Sequence, residues 1–339
     1  MILAGDLGAT NCRLAVFDLD LSLVTQKLYK CRDYESFEAM IEDFVTNCEY
    51  PLKAACFGIP GPVKQGKCKL TNLPWPEIDA AKLVEVTGGL PVKLLNDVES
   101  NAYGLKTLTE DELVTLNEGE PIADGNRAIV AAGTSLGEAA LLEVEGITHA
   151  IASEGGHADF GPLDELQVEF IKFVQQEYKR VSYEIILGGE GLIRMYDFLL
   201  HYHDSTTPEW LAQEMTQGDK AAAISNAALN DKCSICVEAL KMFVAVLASE
   251  AANTAVKFLA TGGIYLGGGI PPRILPKLQE PLFMENFLNK DKMVDFLKGI
   301  PIYVILNDQA ALQGAAWYGK KIISSPLISS LETKTPGQD

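Results

Sequence analysis

The sequence is poor in positive charge. Its 339 residues include 28 lysines and arginines against 46 aspartates and glutamates, which gives a net charge of −18. Nucleic acids and anionic membranes bind concentrated basic surfaces, so this balance argues against both as partners. It leaves small phosphorylated ligands open, because backbone amides and a divalent cation can hold phosphates on an acidic protein.

Long apolar runs are missing as well. No stretch of about 18 uncharged apolar residues occurs, and the longest candidate, residues 243–259, is interrupted by Glu250, Asn253 and Lys257. This stretch predicts a buried helix. The first residues lack the basic start of a secretory leader and include Asp6. We therefore expect a cytoplasmic protein with no membrane-spanning segment.

Histidine and clustered cysteine are scarce. The chain has 4 histidines and 7 scattered cysteines, and an odd count of this kind indicates free thiols in a reducing compartment. Cys233 and Cys236 form a C-x-x-C pair, but no second pair completes a zinc site. His201 and His203 lie in helix-patterned sequence, so we do not expect metal binding there.

A glycine-bearing turn near the N-terminus is the first candidate site. Residues 1–4 and 12–18 are typical of strands, so the stretch between them predicts a hairpin. Glycine lets backbone N–H groups approach a phosphate closely, and Asp6 offers a carboxylate that could hold Mg²⁺ through water. An ordinary tight hairpin is the alternative. The candidate phosphate-binding residues are Gly5, Asp6, Leu7, Gly8, Ala9 and Thr10.

The second half of the chain echoes the first. A strand, a small-residue turn and another strand recur around residues 131–137 (A-A-G-T-S-L-G), which makes Gly133 and Thr134 further phosphate-binding candidates. Two such halves facing each other across a cleft would place both turns on one nucleotide. The acidic, turn-rich stretch 107–126 indicates the change of unit.

The order of predicted elements indicates the fold class. The first hundred residues have a β-β-β-α-β order, which is typical of a mixed sheet with helices packed against it. Ser36 is a plausible N-cap for a helix over residues 36–48. We therefore predict an α/β protein.

Asp97 is the candidate for proton transfer. It follows the predicted strand 92–96 and begins a helix, and α/β sheets place ligands at the carboxyl ends of their strands. A plain helix N-cap is the alternative. In a kinase such an aspartate would accept the proton of a substrate hydroxyl as the phosphoryl group is transferred.

A second cluster could bind hydroxyl groups. Glu154 and His157 belong to the run E-G-G-H, and together they accept and donate hydrogen bonds as a polyhydroxyl ligand requires. A structural histidine is the alternative. Glu184 precedes Gly188 and Gly189, and by itself it looks like an ordinary solvated glutamate.

One apparent phosphate motif is misleading. Residues 61–67 satisfy most of a P-loop pattern, but Cys68 stands where serine or threonine is needed. No helix pattern follows it, so we reject a P-loop.

Taken together, the chain resembles the bacterial-type glucokinases of the hexokinase, actin and Hsp70 superfamily. The two turns resemble the family's phosphate motifs, with Ala9 and Ser135 where glycine is usual. G-G-I-Y-L-G-G-G-I-P-P at residues 262–272 resembles the adenosine motif and includes Gly268. L-L-N-D-V-E-S-N-A-Y-G and N-D-Q-A-A-L-Q-G-A-A resemble the two connecting motifs. The match runs from Gly5 to about Gly319.

The resemblance implies a two-domain actin-like ATPase (ribonuclease H-like) fold with an interdomain cleft. The small domain would comprise residues 1–108 and 307–322 and the large domain residues 109–306, followed by a C-terminal tail at 323–339. The implied reaction is ATP-dependent phosphorylation of D-glucose to D-glucose 6-phosphate, which feeds glycolysis. ATP and Mg²⁺ would be the cofactors, and a homodimer is expected.

The resemblance also implies roles for single residues. Asp97 would be the catalytic base, and Asp6 would hold Mg²⁺ through water. The implied sugar ligands are Asn96, Asp97, Glu154, His157 and Glu184. Glu190, where proline is often found, would adjust the edge of the sugar site.

Two alternatives stay open. Another hexose or an aminosugar could be the substrate of the kinase. A non-catalytic sugar-sensing regulator could share the fold, although such regulators usually carry a basic DNA-binding extension. An E-G-G-H element also occurs in the related repressor and kinase group, but the Cys-rich zinc motif of that group does not follow His157 here.

Overall fold

A computed structural model of the protein describes residues 1–70 and 73–324. Residue contacts divide the chain into two compact units: unit 1 is Met1–Thr109 with the residues from Gln309 onward, and unit 2 is Glu110–Asp308. Residues 325–339 of the expected C-terminal tail lie outside the described residues. Within the described ranges, no helix is long and apolar enough to cross a membrane.

The described residues form two main sheets and one small one. The strands are β1 (Ile2–Leu7), β2 (Asn11–Phe17), β3 (Leu23–Lys30), β4 (Ala54–Ile59), β5 (Lys67–Cys68), β6 (Ile78–Asp79), β7 (Val92–Asn96), β8 (Leu113–Asn117), β9 (Arg127–Ala132), β10 (Leu136–Val144), β11 (Ile147–Ser153), β12 (Gly263–Gly267) and β13 (Ile302–Ile305). The sheet of unit 1 has the order β3-β2-β1-β4-β7, and the sheet of unit 2 has the order β11-β10-β9-β12-β13-β8.

Helices contain many of the described residues that lie outside the strands. They are α1 (Phe37–Thr46), α2 (Ala80–Val86), α3 (Asp97–Gly104), α4 (Glu165–Val174), α5 (Tyr183–Ile186), α6 (Gly189–Tyr202), α7 (Glu209–Gln217), α8 (Lys220–Leu229), α9 (Ser234–Phe258), α10 (Leu275–Leu278), α11 (Pro281–Phe287), α12 (Val294–Lys298) and α13 (Ala310–Ser324). Short 3₁₀ turns occupy Cys31–Asp33, Glu110–Glu112, Gly155–His157 and Asp291–Met293.

The predicted repeat of the strand–turn–strand arrangement in the two halves is confirmed by the strand pairings of the two sheets. In unit 1, β1 pairs antiparallel with β2 and parallel with β4, which pairs parallel with β7. In unit 2, β9 pairs antiparallel with β10 and parallel with β12, which pairs parallel with β13. Each sheet therefore joins an antiparallel hairpin to parallel strands, as expected of a mixed α/β sheet.

The local predictions for helices are also confirmed. The Oγ atom of Ser36 accepts a hydrogen bond of 3.1 Å from Ala39 N at the start of α1, so this serine is the N-cap. Of the stretch 243–259, all but Leu259 lies in α9, and Leu259 is the C-cap of this helix. α9 is buried along most of its length and packs against α6, α8 and α11.

Close packing of α3 and α13 holds the start of α3 in place. A Cβ at Gly104 would collide with the carbonyl oxygen of Ala310, and one at Gly314 would collide with that of Ser100. The Oγ atom of Ser100 donates a hydrogen bond of 2.8 Å to Ala311 O. Because these backbones touch, α3 and the Asp97 at its N-terminus have little freedom to shift.

Two strands of the main sheets were not predicted from the sequence. The edge strands β8 and β11 complete the sheet of unit 2, yet most of their residues are half-buried or exposed. Strand prediction relies on an apolar face that alternates with a polar one. Edge strands with little buried surface carry only a weak form of that pattern.

Candidate active site

The carboxyl ends of three parallel strands meet at one edge of the unit 1 sheet. Asp6 on β1 lies opposite Gly58 on β4, and Ile59 lies opposite Asn96 on β7. The turn after β1 and the start of α3 therefore leave the sheet at the same edge. This is the edge at which open α/β sheets bind ligands.

The N-terminal turn is a hairpin, as predicted. Gly8 N donates a hydrogen bond of 2.9 Å to Asn11 O, and Gly8, Ala9 and Thr10 are exposed at the tip. The side chain of Leu7 is buried. A Cβ at Gly5 would lie 2.6 Å from the Phe57 ring, so packing in mid-strand explains this glycine. The tip is thus the part of the hairpin that can meet a phosphate.

Asp6 places negative charge beside a buried thiol. Burial is the main cause that raises the pKa of Cys12 well above its usual value, and the charge of Asp6 adds to the effect. Burial likewise raises the pKa of Cys68, with a further contribution from Asp97. Both thiols therefore stay protonated and unreactive next to the two candidate carboxylates.

The N-cap of α3 is Asn96, and Asp97 is the first residue of the helix. Asn96 Oδ1 accepts a hydrogen bond of 2.9 Å from Val98 N, while Nδ2 donates one of 3.2 Å to Gly61 O. The residue is only 7% exposed. Asn96 therefore has a structural role, and binding of sugar by its side chain stays a prediction. Asp97 is half-buried, and its Oδ1 atom also accepts a hydrogen bond of 2.9 Å from Val98 N.

Unit 2 brings together the sugar ligands predicted for it. His157 Nε2 lies 2.7 Å from Glu184 Oε2, and the two side chains are 64% and 31% exposed. Tyr183 N donates a hydrogen bond of 3.1 Å to Ala158 O, which joins the two segments. Glu154 begins the same turn, since His157 N donates to its carbonyl at 3.0 Å. The group presents donors and acceptors to solvent.

The glycines of the E-G-G-H run are required by close packing on β10. A Cβ at Gly155 would collide with the carboxyl of Glu138, and one at Gly156 would collide with the carbonyl oxygen of Leu136. The turn Gly155–His157 therefore lies directly on that strand. A side chain at either position would lift Glu154 and His157 away from it.

A pocket of about 470 Å³ in unit 2 joins the second turn to the glycine-dense segment. Gly189 N donates a hydrogen bond of 3.0 Å to Gly133 O, and Ile270 N donates one of 3.1 Å to Ala132 O. Gly268 has a φ of +84°, and its position leaves no room for a Cβ beside Ala132. These contacts line the pocket with backbone, which suits the close approach of a nucleotide.

Several residues of this pocket were not predicted from the sequence. Glu190, which the sequence reasoning linked to the sugar site, lies in its wall. The other polar members are Asp219 and Ser225 from the region of α8 and Arg273 after β12. None of these residues belongs to a recognisable motif, so only the folded structure shows that they line this pocket.

Several other sequence features have a structural explanation and do not indicate a binding or catalytic role. Residues 61–67 lead into the two-residue strand β5, not into a helix, so the rejection of a P-loop is confirmed. All seven cysteines are free, and His203 pairs with Glu238 at 2.9 Å. In the described part of the chain, no group of three or more Cys, His, Asp and Glu residues could hold a metal ion.

A family model, a sequence relative and a solved structure that match this chain are all described as glucokinase. A family model described as Glucokinase matches residues 3–322. A glucokinase of Nostoc sp. is 34% identical over 335 residues, which cover 93% of this chain and 98% of the relative. A solved glucokinase from an Antarctic psychrotroph is 28% identical, with a TM-score of 0.82 and coverage of 94% of this chain and 98% of that chain.

A more distant structure shows the same fold. A ROK family glucokinase from Streptomyces griseus, solved in complex with glucose and AMPPNP, is 18% identical. Its TM-score is 0.64, and the match covers 94% of this chain and 99% of that chain.

Proposed function

Since this chain belongs to the glucokinase family, we propose that it transfers the γ-phosphoryl group of ATP to the 6-hydroxyl of D-glucose. The chain is a sugar kinase with the two-domain actin-like ATPase fold. The observation that carries the choice of substrate is the exposed pair of His157 and Glu184 beside Glu154. A polar cluster of this kind suits a ligand with several adjacent hydroxyl groups.

Asp97 is the proposed catalytic residue. The Asp97 carboxylate is half-buried and oriented by the hydrogen bond that its Oδ1 atom accepts from Val98 N, and it would accept a proton from the sugar hydroxyl. Phosphoryl transfer depends mainly on positioning and charge stabilisation, and the aspartate orients the attacking oxygen. A general base contributes roughly 10²–10⁴-fold to the rate. In unit 2, the proposed ligands of the sugar hydroxyls are Glu154, His157 and Glu184.

Sugar selectivity would come from the pairing of polar groups. In the absence of ligand, Glu184 Oε2 lies at hydrogen-bonding distance from His157 Nε2, 2.7 Å away. A sugar that lacks the matching hydroxyl would bury these groups without partners. Sites that hydrogen-bond a substrate hydroxyl reject analogues without it strongly, by up to about 10⁴–10⁵-fold.

Each unit has its own proposed phosphate-binding turn. In unit 1 the turn is formed by Gly8, Ala9 and Thr10. In unit 2 it is formed by Gly133 and Thr134. The pocket next to Gly269 and Arg273 would hold the nucleoside.

A magnesium ion is compatible with the hairpin of unit 1. Mg²⁺ typically keeps several waters and binds through one or two carboxylates together with the substrate phosphates, so the single carboxylate of Asp6 suffices. When bound, the ion would neutralise charge on the transferred phosphoryl group.

A direct assay tests the proposal. ATP-dependent ADP release is measured with glucose, mannose, fructose and N-acetylglucosamine side by side. Turnover highest with glucose supports the proposal. Preference for another sugar would assign the chain to a different hexose or aminosugar kinase activity, and binding of sugar without turnover would point to a non-catalytic sensor. The homodimer expected from the family stays a prediction, which light scattering can test.

A further inference from the structure

A pair of buried carboxyl groups lies beneath the sugar cluster of unit 2. Glu138 on β10 is 1% exposed, and Glu250 on α9 is 0% exposed. The two groups are within hydrogen-bonding reach of each other. Two carboxylates cannot both stay ionised at such a distance in a buried site, so one of them must hold a proton.

The hydrogen bonds decide which carboxyl is neutral. Glu250 Oε1 accepts a bond of 3.1 Å from Lys257 Nζ, and Oε2 accepts one of 2.8 Å from Asn253 Nδ2. Among the described residues, Glu138 Oε1 has no hydrogen-bond partner. Since Glu250 already accepts two donors, the proton of the pair belongs to Glu138, which donates it towards Glu250. Burial, followed by the charge of Glu250, raises the pKa of Glu138 to about 8.

The carboxyl of Glu138 supports the turn that carries two candidate sugar ligands. A Cβ on Gly155 would collide with Glu138 Oε2, so the backbone of the turn lies directly on this group. Gly155 N also donates a hydrogen bond of 2.8 Å to Ser153 Oγ. A shift of the Glu138 side chain would therefore move Glu154 and His157.

The same network reaches the third sugar ligand. Asn253 Nδ2 donates to Glu250 and also to the hydroxyl of Tyr183 at 3.0 Å. Tyr183 immediately precedes Glu184 and is buried. A continuous chain of hydrogen bonds therefore runs from Glu138 through Glu250 and Asn253 to the segment that carries Glu184.

We propose that Glu138 is a positioning residue for sugar binding, whose protonated carboxyl sets the placement of His157 relative to Glu184. This inference rests on the proposed function, in which those two residues bind the hexose. Ionisation of Glu138 places two negative charges side by side, and their repulsion displaces the turn. The other charged or titratable groups near the pair are Lys257 on α9, Tyr183 on α5 and Lys290 after α11.

The experiment compares Glu138→Gln and Glu138→Leu with wild type in steady-state kinetics between pH 7 and 9. Glutamine keeps the shape and a donor towards Glu250 but does not titrate, whereas leucine removes the donor. If only the protonated form binds sugar well, the competent fraction falls from about nine-tenths to about one-tenth over this range. The wild-type KM for glucose should then rise about tenfold, with little change in kcat or in the KM for ATP.

Each variant has a defined expectation. Glu138→Gln should keep a flat KM for glucose across the pH range, and Glu138→Leu should raise it at every pH. Glu143→Gln is the matched control, since this residue lies further along β10 and bonds Thr148 instead. A wild-type pH profile in Glu138→Gln would overturn the proposal. This criterion still applies if Glu138→Leu fails to fold.

Hydrogen exchange separates this inference from the proposed function. Amide exchange in residues 154–158, corrected for its intrinsic pH dependence, needs no sugar. Faster corrected exchange above pH 8 in wild type, but not in Glu138→Gln, supports the positioning role even if no hexose is phosphorylated. Equal exchange in the two proteins overturns the positioning role. If no hexose is phosphorylated but exchange in wild type still rises above pH 8 and exchange in Glu138→Gln does not, only the proposed function is overturned.

Discussion

His157 Nε2 and Glu184 Oε2 lie 2.7 Å apart, although one follows β11 and the other lies on α5. The backbone bond from Tyr183 N to Ala158 O brings them together. Since both side chains remain accessible, the pair forms a surface that can exchange its mutual hydrogen bond for bonds to a ligand.

Removal of one member should weaken sugar binding selectively. In His157→Ala, the sugar loses the hydrogen bond that it would make to this residue beside the Glu184 carboxylate, and hydrogen bonds that involve charged groups are worth roughly 1.5–3 kcal/mol. We expect the KM for glucose to rise by about one to two orders of magnitude, with the KM for ATP little changed. The exposed His149 on β11 provides the control, and His149→Ala should leave both constants unaltered. An unchanged KM for glucose in His157→Ala would remove this residue from the site.

Asp97→Asn should abolish most turnover while sugar binding survives. The amide cannot accept the hydroxyl proton, so kcat should fall by about 10²–10⁴-fold. Because Asn96 caps α3, the substitution should leave the thermal midpoint nearly unchanged. Glucose binding is measured by calorimetry alongside the rate. A kcat near the wild-type value would show that Asp97 is not the base.

Asn96→Ala should mainly lower the free energy of unfolding. It removes a side-chain N-cap and the bond to Gly61 O, and loss of a cap costs about 0.5–2 kcal/mol. We expect a lower midpoint in urea unfolding, together with a loss of kcat as the start of α3 shifts. Asn96→Asp retains the capping oxygen and should recover most of the stability. Full stability in Asn96→Ala would contradict the capping role.

Gly155→Ala tests the close contact between the E-G-G-H turn and β10. The new methyl group would collide with the Glu138 carboxyl, and overpacking of this kind costs about 1–3 kcal/mol. We expect a lower melting temperature and a higher KM for glucose. Gly161→Ala is the matched control, because a Cβ there has nothing within 4 Å. Similar behaviour of the two variants would show that the turn is not held by this contact.

The buried pair also predicts how stability depends on pH. The pKa of Glu138 is raised from 4.5 to about 8 in the folded protein, so the folded state binds more protons than the unfolded state between these values. Its contribution is therefore present below about pH 4.5 and lost as pH rises to about 8. The slope is at most about 1.4 kcal/mol per pH unit.

Denaturant unfolding of wild type and Glu138→Gln across this pH range measures that slope. Wild type should lose stability relative to the variant as pH rises, because glutamine cannot ionise. Parallel curves for the two proteins would mean that Glu138 does not hold a proton in the folded state.

Several features could be predicted from the sequence because they depend on neighbouring residues. The hairpin at Gly8, the N-cap at Ser36 and the buried helix at 243–259 each follow from local spacing and residue type. The repeated strand–turn–strand pattern predicted two related halves. Residue type and position made Asp97 and His157 candidates, and the family resemblance added Glu184. The edge strands β8 and β11 were missed, since strands whose residues are mostly half-buried or exposed show little alternation of apolar and polar residues.

Other features depended on the tertiary structure. Only the folded chain shows that Asn96, not Asp97, caps α3, and that Asp219 and Arg273 share a pocket with Gly133. Nothing in the residues around Glu138 distinguishes it from a surface glutamate, and burial beside Glu250 gives it its chemistry. The sequence by itself determined the local elements and the motifs, because these follow from short-range hydrogen bonds and apolar spacing. The tertiary structure decided which groups meet and which carboxyl keeps its proton, because proximity and burial arise from long-range packing.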